Sequence, residues 1–121
     1  MAILKIARMG HPVLGRKADP VADPSGPEIA RLVRDMAETM YDAPGIGLAA
    51  PQVHVPLRLV IFHVPGSRVE PGEAPQELTV LMNPLIEPLT EETALGWEGC
   101  LSVPGLRGVV PRWTRIRYSG I

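Results

Sequence analysis

The sequence predicts an α+β fold, an N-terminal helix followed by a strand-rich body of antiparallel and mixed sheets. Three observations predict it. One stretch, "SGPEIARLVRDMAETMYDAPG" from Ser25 to Gly45, carries apolar residues at helical spacing. The chain holds 14 prolines and 12 glycines, too many breakers for a second long helix among its 121 residues. The apolar runs after that stretch are short and rich in β-branched residues, as strands are. The length suits a single domain spanning residues 1–121.

In the helix, Ile29, Leu32, Val33, Met36 and Met40 recur on one face. Arg31, Arg34, Asp35 and Glu38 take the other. Ser25 stands three residues before Glu28, the spacing of a capping box, and Pro27 falls in the first turn, where its missing N–H is harmless. "DAPG" stops the helix. The segment "LRLVIFHV", Leu57 to Val64, is almost continuously apolar and reads as a strand buried on both faces. "ELTVLMNPLIEPL" is a further strand interrupted by Pro84. "LRGVVPRWTRIRY" alternates toward its end, and the step from Trp113 to Ile116 breaks the period of two, predicting a bulge or twist. "PGSRVEPGEAPQE" is a polar loop.

Charge excludes several classes. Twelve basic against 13 acidic residues leave no basic footprint for nucleic acid. No apolar run reaches the roughly 20 residues of a membrane span, and the start "MAILKIARMGHP" lacks a signal-peptide core. One cysteine forbids an internal disulfide framework and suits a reducing compartment. A soluble cytoplasmic protein is expected.

Two segments are unlike scaffold. "GIGLAAPQ", Gly45 to Gln52, pairs glycines with small residues, so another backbone can approach closely. Its plain reading is a helix-to-strand turn; the glycine spacing fits neither a phosphate loop nor a dinucleotide fold. "EGCLS" carries the lone cysteine, Cys100. A lone cysteine is most often a small core residue. As a nucleophile it needs a base, and His11, His54 and His63 are the histidines present. His63 lies within an apolar strand and reads as a satisfied core residue.

Together, "GIGLAAPQ" followed by "EGCLSVPG" resembles peptide deformylase. "GHPVL", "MNP" and "RGVVPR" extend the resemblance over essentially the whole chain. The resemblance implies a metal hydrolase that removes the formyl group from the N-terminal methionine of new polypeptides. It implies Cys100 as one metal ligand, for Fe2+ naturally and Zn2+, Ni2+ or Co2+ as substitutes. Gln52 and the backbone N–H of Leu101 would hold the formyl oxygen as it gains charge. Gly45, Ile46 and Gly47 would form the strand edge that receives the peptide, with Ile46 in the methionine pocket. Glu98 and Gly99 would flank the peptide's other side. Arg107 would contact the peptide or form an ion pair with Glu98. Formyl-Met nascent peptides, and the ribosome for the complete protein, are the implied partners; nucleic acid and membrane are not.

The family's third motif, a helix bearing His-Glu-X-X-His, has no counterpart in this sequence. That motif supplies two metal histidines and the proton-carrying glutamate. The reading is therefore an N-terminal portion of a deformylase, lacking the C-terminal metal-binding helix and inactive alone. Without that helix, Leu57, Val60, Phe62, Leu81 and Trp113 are expected to lack cover. The alternatives are a non-catalytic deformylase-like peptide-binding protein, a truncated gene product, and an unrelated thiol hydrolase using Cys100 with His54 or His11.

Overall fold

A computed structural model describes residues 2–121. A short helix α1 (Pro12–Gly15) precedes the long helix α2 (Pro27–Asp42). Seven strands follow: β1 (Gly47–Ala49), β2 (Leu59–Val64), β3 (Gln76–Met82), β4 (Leu85–Pro88), β5 (Thr93–Cys100), β6 (Val103–Trp113) and β7 (Ile116–Ser119). They make three antiparallel sheets, ordered β1-β2-β3, β4-β7 and β5-β6. One isolated parallel bridge joins Asp19 to Leu57.

Helix α2 lays its apolar stripe on the first sheet. Met36 and Met40 are fully buried against Leu48, Leu59 and Ile61, and Ile29, Leu32 and Val33 pack around them. Thr39 joins this face to the N-terminal segment: its hydroxyl donates to Asp35 O at 2.7 Å and accepts the Leu4 N–H at 2.8 Å. The N-cap is Gly26, without a side-chain cap bond, and not Ser25. A turn before the helix brings the Gly26 N–H to Asp23 O at 3.1 Å, and Ser25 Oγ donates to Asp23 Oδ1 at 3.3 Å instead. A Cβ at position 26 would stand 2.7 Å from Asp23 Oδ2, the end of a side chain that would have to move to admit it.

Strand β2 is buried on one face, not two. Leu59 and Ile61 are covered by α2, whereas Val60 and Phe62, which point to the other side of the pleat, are half-buried. Phe62 meets Tyr118 edge-on at 5.7 Å. Leu57 and Leu81 are also partly buried, and of the five side chains expected to lack cover only Trp113, 50% exposed, is open to solvent.

The proline-interrupted segment is two strands in different sheets. Asn83 takes a left-handed conformation (φ 51°) that ends β3. Its carboxamide clasps Val21, accepting that N–H at 2.7 Å and donating to Val21 O at 3.1 Å. The irregularity between Trp113 and Ile116 is a change of sheet: β6 pairs with β5 up to Trp113, and β7 pairs with β4 from Ile116. Strand β5, which the motif reading passed over, is half of the longest hairpin.

Candidate active site

The site forms where the edge of the first sheet meets the tip of the β5–β6 hairpin. Strand β1 is an edge strand, with β2 on one side. His63 N–H donates to Ile46 O at 2.9 Å, which places Ile46 among the residues facing β2. Antiparallel pairing alternates, so the N–H and C=O of Gly47 and Ala49 point away from β2, along the open edge. The Ala49 N–H shows it: its partner is the Gln52 side-chain oxygen, at 2.9 Å. A single turn of 3-10 helix, Ala50–Val53, folds Gln52 back to make this bond. The Gln52 carbonyl accepts the Ala7 N–H at 2.6 Å, fixing the turn from the other side.

The hairpin carries Cys100, Leu101 and Ser102 to the same place. Its register shifts between Gly99 and Cys100, and Cys100 pairs with Val103 across the turn. Cys100 is exposed, and its Sγ lies 3.5 Å from Gln52 Nε2. Ser102 is buried, and its Oγ accepts a hydrogen bond from the same nitrogen at 3.1 Å. Leu101 packs on Gly45: a Cβ there would stand 2.8 Å from Leu101 Cδ1. This contact is a physical reason for glycine at the start of "GIGLAAPQ". Beside the sulfur opens a mainly apolar cavity of about 540 Å³, lined by Met9, His11, Leu14, Gln52, Cys100 and Ser102 among others.

Gly45, Ile46, Gly47, Gln52, Cys100 and Leu101 thus converge. Ile46 is 41% exposed beside this edge. Glu98 and Arg107 do not pair with each other. The partner of Glu98 is Arg112, which donates from Nε at 2.8 Å and from a terminal nitrogen at 2.6 Å. These bonds hold the Glu98 carboxyl below its ordinary range and raise the Arg112 guanidinium. Arg107 sits opposite Gly99, exposed, and among the described residues makes no ion pair. Their side chains lie on opposite faces of the hairpin, since paired strands alternate. Sequence reasoning missed Arg112 because it is 14 positions from Glu98, and missed Ser102, whose only local signal is its place in "EGCLS".

The histidines are engaged elsewhere. His63 Nε2 lies 3.2 Å from Gly45 O, and its ring meets Tyr41 edge-on at 5.1 Å. His11 Nδ1 accepts the Val13 N–H at 3.1 Å, and its ring meets His54 at 4.7 Å. Among the described residues the hydrogen-bond partner of Cys100 Sγ is Gln52, not an imidazole, so the bonded nucleophile–base pair of a thiol hydrolase is not made. Nor do three His, Cys, Asp or Glu side chains gather into a metal-binding group among them. One thiol is a single ligand, where a catalytic centre of this kind takes three. These residues by themselves do not fit a resident metal ion.

The family profile of polypeptide deformylase matches residues 3–121. A peptide deformylase of Bordetella pertussis is 54% identical over 115 residues, covering 95% of this chain and 65% of that protein. One from Ralstonia nicotianae is 52% identical over 118 residues, covering 98% and 67%. Among solved structures, the Ehrlichia chaffeensis peptide deformylase in complex with actinonin superposes with a TM-score of 0.86 at 35% identity, covering 96% of this chain and 66% of that one. The class I type b enzyme of Acinetobacter baumannii bound to Met-Ala-Ser gives 0.84 at 32% identity, covering 96% and 74%. The chain spans 65% of the length of its Bordetella relative. An edge strand, an exposed cysteine and an oriented glutamine amide, placed together on a fold that superposes on these enzymes, agree with the profile match: the chain belongs to the peptide deformylase family.

Proposed function

We propose that residues 1–121 belong to one deformylase domain and form the substrate-receiving and oxyanion-binding part of its centre. The reaction is hydrolysis of the N-formyl group on the N-terminal methionine of newly made polypeptides. The observation that carries this reading is the placement of Gln52 Nε2 at 3.5 Å from Cys100 Sγ, with Leu101 seated on the glycine edge. The outward N–H and C=O of Gly47 can take an extended peptide as an added strand. Main-chain bonding of this kind accepts many sequences, as a general processing enzyme must. Ile46, partly exposed at the same edge, offers apolar surface to the methionine side chain. Gly99 and Arg107, opposed in the hairpin, and Glu98 beside them would border the peptide on its far side. Gln52 and the Leu101 N–H then donate to the formyl oxygen, where each such donor is worth about 10²–10³ in rate.

Cys100 is the residue of this chain that would ligate Fe2+, or Zn2+, Ni2+ or Co2+ in its place; as one ligand it does not hold the ion alone. The natural substrate, nascent formyl-Met chains, puts the protein in the cytoplasm, near the ribosome. No helix among the described residues is long and apolar enough to cross a membrane.

Amide NMR titration tests the site. Formyl-Met-Ala-Ser is expected to shift the Gly45, Ile46, Gly47 and Leu101 amides and the Gln52 side chain, more than unformylated Met-Ala-Ser does. Equal shifts with both peptides, or shifts elsewhere, would end this assignment. With added Fe2+ or Ni2+ this polypeptide is expected to leave formyl-Met-Ala intact, because a one-ligand site lacks the metal affinity. Turnover near that of a complete deformylase would overturn that expectation. Binding without turnover is also what a non-catalytic peptide-binding relative would show. The amide held beside the cysteine favours the enzyme, since strand addition alone requires neither group.

A further inference from the structure

A carboxamide can turn about its last bond and exchange donor for acceptor with almost no change in shape. In one orientation of Gln52 the nitrogen faces Cys100 and can donate to an oxyanion; in the other an oxygen faces it and repels. One contact chooses between them, and a second holds the nitrogen once it is chosen. The Ala49 N–H can only donate, so it selects Oε1, at 2.9 Å. On the far side Ser102 Oγ accepts from Nε2 at 3.1 Å. Ser102 is only 4% exposed, and its carbonyl is held by the Met9 N–H at 2.8 Å. A hydroxyl buried in this way needs a partner, and among the described residues that partner is the Gln52 amide.

We propose that Ser102 is the positioning residue of Gln52: it takes one Nε2 hydrogen and thereby aims the other at the space beside Cys100. That second hydrogen now points to Sγ, with Nε2 and Sγ 3.5 Å apart, an ordinary spacing to a weak acceptor. It is therefore the hydrogen an arriving formyl oxygen can claim, while the bond to Ser102 stays in place. The geometry stands without the functional reading; its purpose rests on that reading.

NMR of the Gln52 side chain in this polypeptide tests the proposal. The unsubstituted chain is expected to show two resolved, slowly exchanging Nε2 protons, one with an NOE to the Ser102 β-protons. Ser102→Ala is expected to abolish that protection while the core amides of Leu59 and Ile61 keep theirs. It should also cut the preference for formyl-Met-Ala-Ser over Met-Ala-Ser roughly fivefold, the worth of one neutral hydrogen bond. Ser102→Thr, which restores the hydroxyl, should recover both. A Gln52 amide that exchanges freely in the unsubstituted chain overturns the proposal, and that measurement needs no variant to fold. Unchanged Gln52 signals in folded Ser102→Ala overturn it too. A protected amide with no preference for the formyl peptide upholds the positioning and strikes down the deformylase reading instead.

Discussion

At Gly45 a methyl group would come within 2.8 Å of Leu101 Cδ1, the movable end of a side chain. Gly45→Ala is therefore expected to cost little stability, about 1 kcal/mol or less, because Leu101 can change rotamer. Its larger effect falls on the Leu101 amide, which should shift in the NMR spectrum and bind the formyl peptide more weakly. A stability loss with the Leu101 amide unmoved would contradict this account. Glu98 gives a pH prediction. The Arg112 hydrogen bonds lower its carboxyl in the folded chain, so the unfolded state takes up the proton first as pH falls. Whatever stability the pair contributes is present above the ordinary carboxylate range and fades as pH drops through the lowered folded value. The Tm difference between the unsubstituted chain and Glu98→Gln should shrink toward zero on acidification from neutral pH. A constant difference would show that the ion pair is not its source. Glu98, Cys100 and, through its motif, Gln52 could be singled out from the sequence; Arg112 could not, since only the pairing of the hairpin brings it to Glu98.

The elements differ sharply in how much they hold the fold together. Leu59 in β2 is fully buried under α2. Leu59→Ala should destabilise the chain by about 2–5 kcal/mol in a denaturant titration, the usual cost of a core cavity. Trp97 in β5 is 73% exposed despite its size. Trp97→Ser should stay within about 0.5 kcal/mol in the same titration, as surface changes do. A large loss there would mean the hairpin face is covered in solution. Helix α2 was legible because its periodicity lies in its own residues, and its apolar stripe does face the core. Its cap was not: Ser25 has the right spacing, but the preceding turn bonds it to Asp23. In β2 composition misleads about burial, because an apolar run looks alike whether one face or both are packed.

Over the molecule as a whole, apolar surface gathers on one face of the β5–β6 hairpin. Leu95 pairs with Pro111 and Trp97 with Val109, and Trp113 stands opposite Thr93. Leu95 and Trp97 are each 73% exposed, Val109 48% and Trp113 50%. Contiguous exposed apolar groups favour association and dye binding. This polypeptide should bind an apolar dye strongly, and Leu95→Ser with Trp97→Ser should reduce the signal without lowering Tm. Undiminished dye binding would locate the apolar surface elsewhere. The sequence by itself determined the α+β class, the place of the long helix and, through two short motifs, the family. Each of these is carried by residues near one another in the chain. Only the tertiary structure decided that Ser102 holds Gln52 across 50 positions, that Arg112 rather than Arg107 takes Glu98, and that β2 is covered on one face. Those outcomes depend on how separate strands pack, and neither periodicity nor motif spacing encodes a contact between segments that meet only after folding.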